Sequence, residues 1–292
     1  MINQRTKDKI NELFTQYKKL ANTHPQAIIE ITKAEIPEMV YNSNAIENST
    51  LTLQDTTDVL LKNTIKKDHD IREIYEAKNL AEISEYLLSH KDAKLDRNLL
   101  LSLHQMLLKG ISDKWAGRFR QGKEWVRIGT HVGANPDFIP GLMQNLFEQY
   151  ADTKSQEYFL SNIARFHAEF EIIHPFNDGN GRIGRVMINK QLVDLGYPPI
   201  IIPNKTKKAD YYPAFETYRK TNDHSDFTKQ FSLLLIESLN KRIAMISSPK
   251  IVRLIDWSKM NNVEHKTALN KAKRGTLPAF RDQGIWKIGA EK

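Results

Sequence analysis

Apolar residues recur at steps of three and four along most of the first 245 positions, the spacing of a buried stripe on a helix. Ile10, Leu13, Phe14, Tyr17 and Leu20 mark the first such stripe. Further helices are predicted from about Pro37 to Asn48, from Leu53 after a Thr52-x-x-Asp55 capping box, from Ile71 to Leu88, and from Arg97 to a stop at Gly110. Between Gly117 and Pro140 the pattern turns to glycines, aromatics and β-branched residues, and Trp125-Val126-Arg127-Ile128 reads as an extended run within a hairpin. Helical spacing returns from Ser155 through Ile163, Phe166 and Phe170 to Ile173, halts at Pro175, resumes near Gly181 and ends at Gly196 and Pro198-Pro199. Two more helices, Lys208 to Lys220 and Asp226 to Met245, precede the polar break Ser247-Ser248-Pro249, so the chain is mainly α with one extended interruption.

Composition narrows the chemistry. The 292 residues are 40% apolar and 27% charged and include no Cys, which removes disulfides, zinc-thiolate sites, iron–sulfur clusters and thiol nucleophiles. Met1 to Lys9 is polar, and apolar runs such as Phe231 to Ile236 fall far short of the roughly 20 residues a membrane span needs, so a cytoplasmic protein without membrane contact is expected. Of the net charge of +8, the segment Ser247 to Lys292 carries +6, ten basic residues against four acidic ones. The basicity therefore belongs to the tail and suits an anionic partner there.

The candidate chemistry lies in the loop between two of the predicted helices, His174-Pro175-Phe176-Asn177-Asp178-Gly179-Asn180-Gly181-Arg182-Ile183-Gly184-Arg185. Gly179 and Gly181 let the backbone turn its N–H groups into one concavity at a helix start, where the dipole also favours an anion. Arg182 and Arg185, on the first turn, can hold two further phosphate groups of the same ligand. A carboxylate inside such a nest repels a bare phosphate but suits a Mg²⁺ lying between it and phosphate oxygens, which makes Asp178 the candidate metal ligand. His174 ordinarily titrates near neutrality and is the candidate base for a hydroxyl nucleophile.

The run resembles the signature of the Fic family, His-Pro-Phe-x-(Asp/Glu)-Gly-Asn-Gly-Arg-x-x-Arg, at every specified position. The resemblance implies a Fic-type helical core with a β-hairpin flap and transfer of AMP from Mg·ATP to a Ser, Thr or Tyr hydroxyl of a target protein. It makes His174 the general base, Asp178 the Mg²⁺ ligand, Gly179, Asn180 and Gly181 the phosphate cradle, and Arg182 and Arg185 the holders of the outer phosphates. A phosphate-transferring branch of the family lacks the second glycine and the last arginine; Gly181 and Arg185 are both present, which favours nucleotidyl transfer. Trp125 to His131 followed by Pro136 to Pro140 resembles the flap, which takes an extended target segment by β-augmentation. The resemblance sets Ile128, Gly129, Thr130 and His131 over the nucleotide and Tyr211 and Tyr212 beside the adenine. Near a position where the family commonly has Asn, this chain has Arg219.

Ser43-Asn44-Ala45-Ile46-Glu47-Asn48 resembles the family's inhibitory pattern, (Ser/Thr)-x-x-x-Glu-(Gly/Asn), lying N-terminal to the core. The resemblance pairs Glu47 with Arg185, with Ser43 on the same helix face, so that the γ-phosphate loses its donors; the same Glu leaves a reverse, AMP-removing activity open. In the tail, helices from Ile251 to Met260 and Glu264 to Lys273 and a hairpin turning at Asp282-Gln283-Gly284 resemble a winged helix-turn-helix domain of the excisionase type. That implies contact with double-stranded DNA through Lys266, Lys271, Lys273 and Arg274, with Arg281 and Lys287 on the wing. The expected organisation is 1–90, an N-terminal helical region with the inhibitory helix; 91–246, the core; and 249–292, the winged domain. A DNA-binding regulator whose core senses nucleotide or modifies only itself is the alternative. Glu171-x-x-His174 lacks the second copy a carboxylate-bridged metal pair needs, and His104 and His167 read as core histidines without a role.

Overall fold

A computed structural model describes residues 2–65, 68–129, 131–153 and 157–290. Thr130, expected over the nucleotide, and Ser155, expected to open a helix, lie outside the described residues. The helices in chain order are α1 (Gln4–Thr23), α2 (Pro25–Ala34), α3 (Ile36–Ile46), α4 (Leu53–Lys62), α5 (Ile71–Ser89), α6 (Arg97–Leu108), α7 (Ile139–Thr153), α8 (Phe159–Ile173), α9 (Asn180–Asp194), α10 (Tyr212–Thr221), α11 (Ser225–Ser247), α12 (Leu254–Met260) and α13 (His265–Lys273). The strands are β1 (Arg127–Ile128), β2 (His131–Val132), β3 (Lys250–Arg253), β4 (Ala279–Asp282) and β5 (Ile285–Ala290).

The chain divides into two compact units, one of Met1–Glu35, Tyr197–Ile200 and Lys229–Lys292, the other of Ile36–Gly196 and Ile201–Thr228. The second unit carries the signature loop. Its core is built from the apolar faces of α3, α5, α6, α8 and α9, with Val40, Ile83, Leu103, Phe170, Phe176 and Ile183 at its centre. The capping box at Thr52 and Asp55 forms as the sequence predicts, each side chain bonding the other residue's backbone N–H.

The flap is shorter than the sequence suggests. Among the described residues Arg127↔Val132 and Ile128↔His131 pair, the Gly133 N–H reaches Val126 O at 3.0 Å, and Pro136–Phe138 is a 3-10 turn leading into α7. The segment Pro136 to Pro140, which the resemblance places with the flap, is a helix entry. Asn135 accepts from the Asp137 N–H at 3.1 Å, and Pro136 and Pro140 sit where a missing N–H costs no hydrogen bond. From Lys207 to Tyr211 the backbone makes a π-helical turn before α10, in place of a single helix from Lys208.

In the first unit α1 buries Ile10, Leu13 and Tyr17, and Phe14 stacks on Tyr197 at 3.8 Å between centroids. Glu35 is buried against Lys241 and Arg242, and Lys241 also reaches Asp282 at 2.9 Å. The tail forms a three-stranded antiparallel sheet in the order β3-β5-β4 with α12 and α13 preceding its hairpin. A helix over Ile251 to Met260 is corrected at its start: Val252 pairs with Ile288 in the sheet, and α12 begins only at Leu254. The hairpin turns at Gln283 and Gly284, both with positive φ (53° and 75°), as a two-residue loop requires.

Candidate active site

His174 ends α8 in the left-handed region (φ 52°), which turns the chain out of the helix. Arg120, 1% exposed, fastens this corner. Its side chain donates to the carbonyls of His174 (2.8 Å), Glu124 (2.8 Å) and Ala134 (2.9 Å). The Arg120 N–H bonds Pro175 O at 2.9 Å, and Ala134 N–H bonds Ile173 O at 3.1 Å, so the histidine corner and the strand leaving the flap are one hydrogen-bonded piece. His131 ties the flap itself to α8 through Ile172 O at 3.2 Å.

After the corner, Asn180 closes the loop on itself: its side chain accepts from Phe176 N–H (2.9 Å) and donates to Phe176 O (2.8 Å). Gly179 caps α9 at φ 83°, leaving the first N–H groups of the helix without intrahelical acceptors. Gly181 is bare for a reason, since a Cβ there would lie 2.1 Å from Oε1 of Glu47. That carboxylate lies against the first turn of α9 and accepts from Arg185 Nη2 at 2.9 Å. Ser43 completes the grip, its hydroxyl accepting from Arg185 Nε at 2.9 Å and its carbonyl from Nη2 at 2.8 Å. Burial opposes the Arg185 charge, but Glu47, Tyr211 and Glu171 outweigh it and push the guanidinium pKa up.

A cavity of about 830 Å³ opens on this grip and is lined by Glu47, Ile128, Gly129, His131, His174, Gly181, Arg185, Tyr211 and Tyr212, together with Glu171 and Arg219. Asp178, Gly179, Asn180 and Arg182 stand off its wall. Asp178 accepts from Gly179 N–H (2.6 Å) and Arg182 Nη2 (2.9 Å), and its other oxygen pairs with Arg72 of α5. Arg182 also reaches Glu76 at 2.8 Å. Burial raises the Asp178 pKa, but Arg182 and Arg72 overcome it and hold the carboxyl below its ordinary range. Among the described residues no group of three or more His, Cys, Asp or Glu is gathered that could hold a metal by itself. A lone carboxylate beside a phosphate cradle fits a Mg²⁺ that a nucleotide brings with it, the half-exposed Arg72 balancing its charge meanwhile.

His174 Nδ1 lies 3.3 Å from Glu171 O and 3.8 Å from its Oε2. A proton on Nδ1 bonds that carbonyl and leaves Nε2 as the basic nitrogen. Burial lowers the His174 pKa to about 4, with Arg120 and His131 adding to it and the Glu171 carbonyl and Glu47 opposing it. Tyr211 is buried with its hydroxyl 2.8 Å from His167 Nε2, while Tyr212 donates to Ile46 O at 2.7 Å. Lys207 donates to Ala45 O (2.8 Å), Ile46 O (3.1 Å) and Asn48 Oδ1 (3.0 Å), closing the C-terminal end of α3 just before Glu47. Sequence reasoning did not single out Arg120, Arg72 or Lys207, and it gave Glu171 no role.

In the tail, Lys266, Lys271, Lys273 and Arg274 are exposed on and after α13. Arg281 is bound instead by Glu237 through two hydrogen bonds (2.7 and 2.6 Å), and Lys287 by Asp282 at 2.6 Å.

Residues 94–192 match the Fic/DOC family model. "Protein adenylyltransferase Fic" of Drosophila virilis is 33% identical over 177 residues, covering 59% of this chain and 36% of that protein, so the chain spans about a third of the length of such relatives. A Fic-domain-containing protein from Bacteroides thetaiotaomicron superposes with a TM-score of 0.71 at 26% identity over 80% of this chain and 95% of its own. A Fic family protein from Desulfovibrio desulfuricans G20 superposes over 100% of this chain and 98% of its own, with a TM-score of 0.67 at 23% identity, a likeness of fold. No helix among the described residues is long and apolar enough to cross a membrane. The signature loop, the matched segment and the fold agree on a Fic/DOC-like domain at residues 94–192.

Proposed function

We propose that this chain is a protein adenylyltransferase, moving AMP from ATP to a Ser, Thr or Tyr hydroxyl of another protein, and that Glu47 holds it inactive. One observation carries the reading: His174, Gly181 and Arg185 face a single cavity, and the Glu47 carboxylate occupies its Arg185 end. The name of the Drosophila virilis relative supports the same activity.

In this reading the target hydroxyl gives its proton to Nε2 of His174 while its oxygen bonds the α-phosphorus. The bond from that phosphorus to the bridging oxygen breaks, and pyrophosphate leaves with the electron pair. The N–H groups at the start of α9 receive the charge that develops on the α-phosphate, and Arg182 and Arg185 hold the outer phosphates. Asp178 is the residue that would hold Mg²⁺, with Arg72 giving way; a bound Mg²⁺ would neutralise phosphate charge. Ile128, Gly129 and His131 cover the nucleotide, the flap edge takes an extended target segment, and Tyr211 and Tyr212 border the base. Glu47 blocks this twice over, by taking an Arg185 donor and by filling the space beside Gly181. The reading extends to the reverse reaction, hydrolysis of AMP from a modified target with Glu47 orienting the water.

The test is label transfer to protein from α-labelled and γ-labelled ATP by wild type, Glu47→Gly, and Glu47→Gly with His174→Ala. Transfer of the α label alone, raised by the first change and cut roughly 10²- to 10⁴-fold by the second, is expected. Transfer of the γ label, or equal low rates in wild type and Glu47→Gly, would overturn the reading.

A second reading concerns the tail, where four exposed basic side chains gather on and just after α13. It assigns contact with double-stranded DNA to Lys266, Lys271, Lys273 and Arg274 rather than to Arg281 and Lys287, whose charges are already paired. Duplex affinity should fall steeply with salt, by a log–log slope of about 0.9 per phosphate neutralised, and Lys271→Glu with Arg274→Glu should weaken it. Binding unchanged by salt or by those substitutions would remove this reading.

A further inference from the structure

We propose that Glu171 is a positioning residue for His174, its carboxylate bearing on Nδ1 so that Nε2 stays free to take the hydroxyl proton, and that Glu47 controls this second carboxyl as well as Arg185. The inference rests on the adenylyltransferase reading above.

Glu171 lies one turn before His174 on α8, its Oε2 3.8 Å from Nδ1. Its Oε1 is buried and makes no hydrogen bond. The side chain lies over α9 at a glycine, where a Cβ on Gly184 would come within 2.3 Å of Oε1. Glu171 also lines the cavity, beside Gly181 and Arg185. A buried carboxyl with an unpaired oxygen, seated behind a histidine, is costly as a packing element; with the Nδ1 proton held by the Glu171 carbonyl, a negative charge on the side chain 3.8 Å away acts on the basicity of the ring.

The charges around it define its states. Glu171 feels Glu47, Arg185, Tyr211 and Tyr212, with His167 beside it on α8; His174 additionally faces Arg120 and His131. Burial, with the nearby Glu47 adding to it and Arg185 opposing it, raises the Glu171 pKa to about 8. With Glu47 seated, Glu171 keeps its proton at neutral pH, and His174, held near 4 by its burial, gains nothing from it. Withdrawing Glu47 removes the like charge beside Glu171, and with it the weaker upward pull that Glu47 exerts on His174 itself. Glu171 then ionises more readily, with Arg185 favouring its charge, and a carboxylate within about 4 Å raises the proton affinity of an imidazole by roughly one to three pH units. A base restored toward neutrality is a better acceptor for the hydroxyl proton.

The experiment is a ¹⁵N NMR titration of the His174 imidazole in the full chain without nucleotide, comparing wild type, Glu47→Gly, Glu47→Gly with Glu171→Gln, and Glu47→Gly with Glu171→Asp. The His174 midpoint should rise by about one unit or more in Glu47→Gly, fall back with Gln, and lie between with Asp, whose shorter chain draws the carboxylate away. In turnover, Glu171→Gln should lower kcat about tenfold and leave the KM for ATP unchanged. Superimposed titration curves in all four proteins would overturn the inference, whatever the turnover. A shifted midpoint with no AMP transfer by Glu47→Gly would instead defeat the adenylyltransferase reading and leave the coupling between the two carboxyls standing.

Discussion

In the proposed reading Glu47 blocks the site by charge, by volume, or by both, and two substitutions separate these. Its carboxylate accepts a charged hydrogen bond from Arg185 at 2.9 Å and fills the position 2.1 Å from where a Gly181 Cβ would be. A hydrogen bond to a charged group is worth roughly 1.5–3 kcal/mol, a neutral one about 1. Glu47→Gly removes both the bond and the volume, so productive ATP binding should gain roughly 10- to 150-fold. Glu47→Gln keeps the volume and exchanges an anionic acceptor for an amide, a loss of about 1 kcal/mol that gives roughly five- to tenfold activation. Initial rates of α-label transfer, measured below the KM for ATP, read both numbers. Equal activation by Gln and Gly would show that the space beside Gly181 does not matter, and no activation by either would refute the reasoning entirely.

Three other outcomes follow from the same contacts. Arg120→Met should lower unfolding stability by about 3 kcal/mol or more, because the carbonyls of His174, Glu124 and Ala134 lose a shared buried donor; a urea midpoint within error of wild type would contradict this. Lys207→Ala removes the cation from the C-terminal carbonyls of α3, an interaction of roughly 0.3–1 kcal/mol, and should raise basal transfer about two- to fivefold without altering the rate of Glu47→Gly. Glu171, ordinarily titrating at 4.5 and raised to about 8 in the fold, stays protonated while the unfolded chain ionises, so its contribution to stability is intact below pH 4.5 and is lost as pH rises to 8. Glu171→Gln should therefore be more stable than wild type at pH 8 by an amount on the order of 4 kcal/mol, and match it at pH 4, in parallel denaturant titrations.

Much of the helical architecture is legible because each stripe is local: Ile10, Leu13 and Tyr17 are all buried, as the spacing of α1 demands. Two helices escape that reading. The break at His24 before Pro25 hides α2, and the prolines at 136 and 140 make the entry to α7 look like part of the hairpin although both occupy first-turn positions. The reverse error at Ile251 and Val252 has a tertiary cause, since these residues become a strand only because β5 offers them an edge. Within the site, the loop from His174 to Arg185 is readable because its chemistry is contiguous. The Glu47–Arg185 pair spans 138 positions and comes from resemblance, not from spacing. Arg120 and Glu171 escape because a buried charge looks in sequence like any exposed one; only the carbonyls around Arg120 and the bare Gly184 against Glu171 show what they do.

The geometry also bears on how the proposed inhibition would be relieved. Ser43 lies inside α3 and is buried, whereas Glu47 follows the last residue of that helix, Ile46, and its side chain is 39% exposed. Lys207 and Tyr212 hold the carbonyls at the end of α3, so displacing the helix would break several bonds at once. Rotating the Glu47 side chain breaks one bond to Arg185 and clears the space beside Gly181, while Ser43 still orients the guanidinium. Release at the level of one side chain costs about a single charged hydrogen bond, and the phosphates that replace it offer Arg185 an acceptor of the same sign. A nucleotide can thus compete directly with Glu47 while α3 stays in place. The free energy that separates the blocked and productive poses is then a few kcal/mol, a range that a partner bearing on α3 or on the Lys207 turn can reverse.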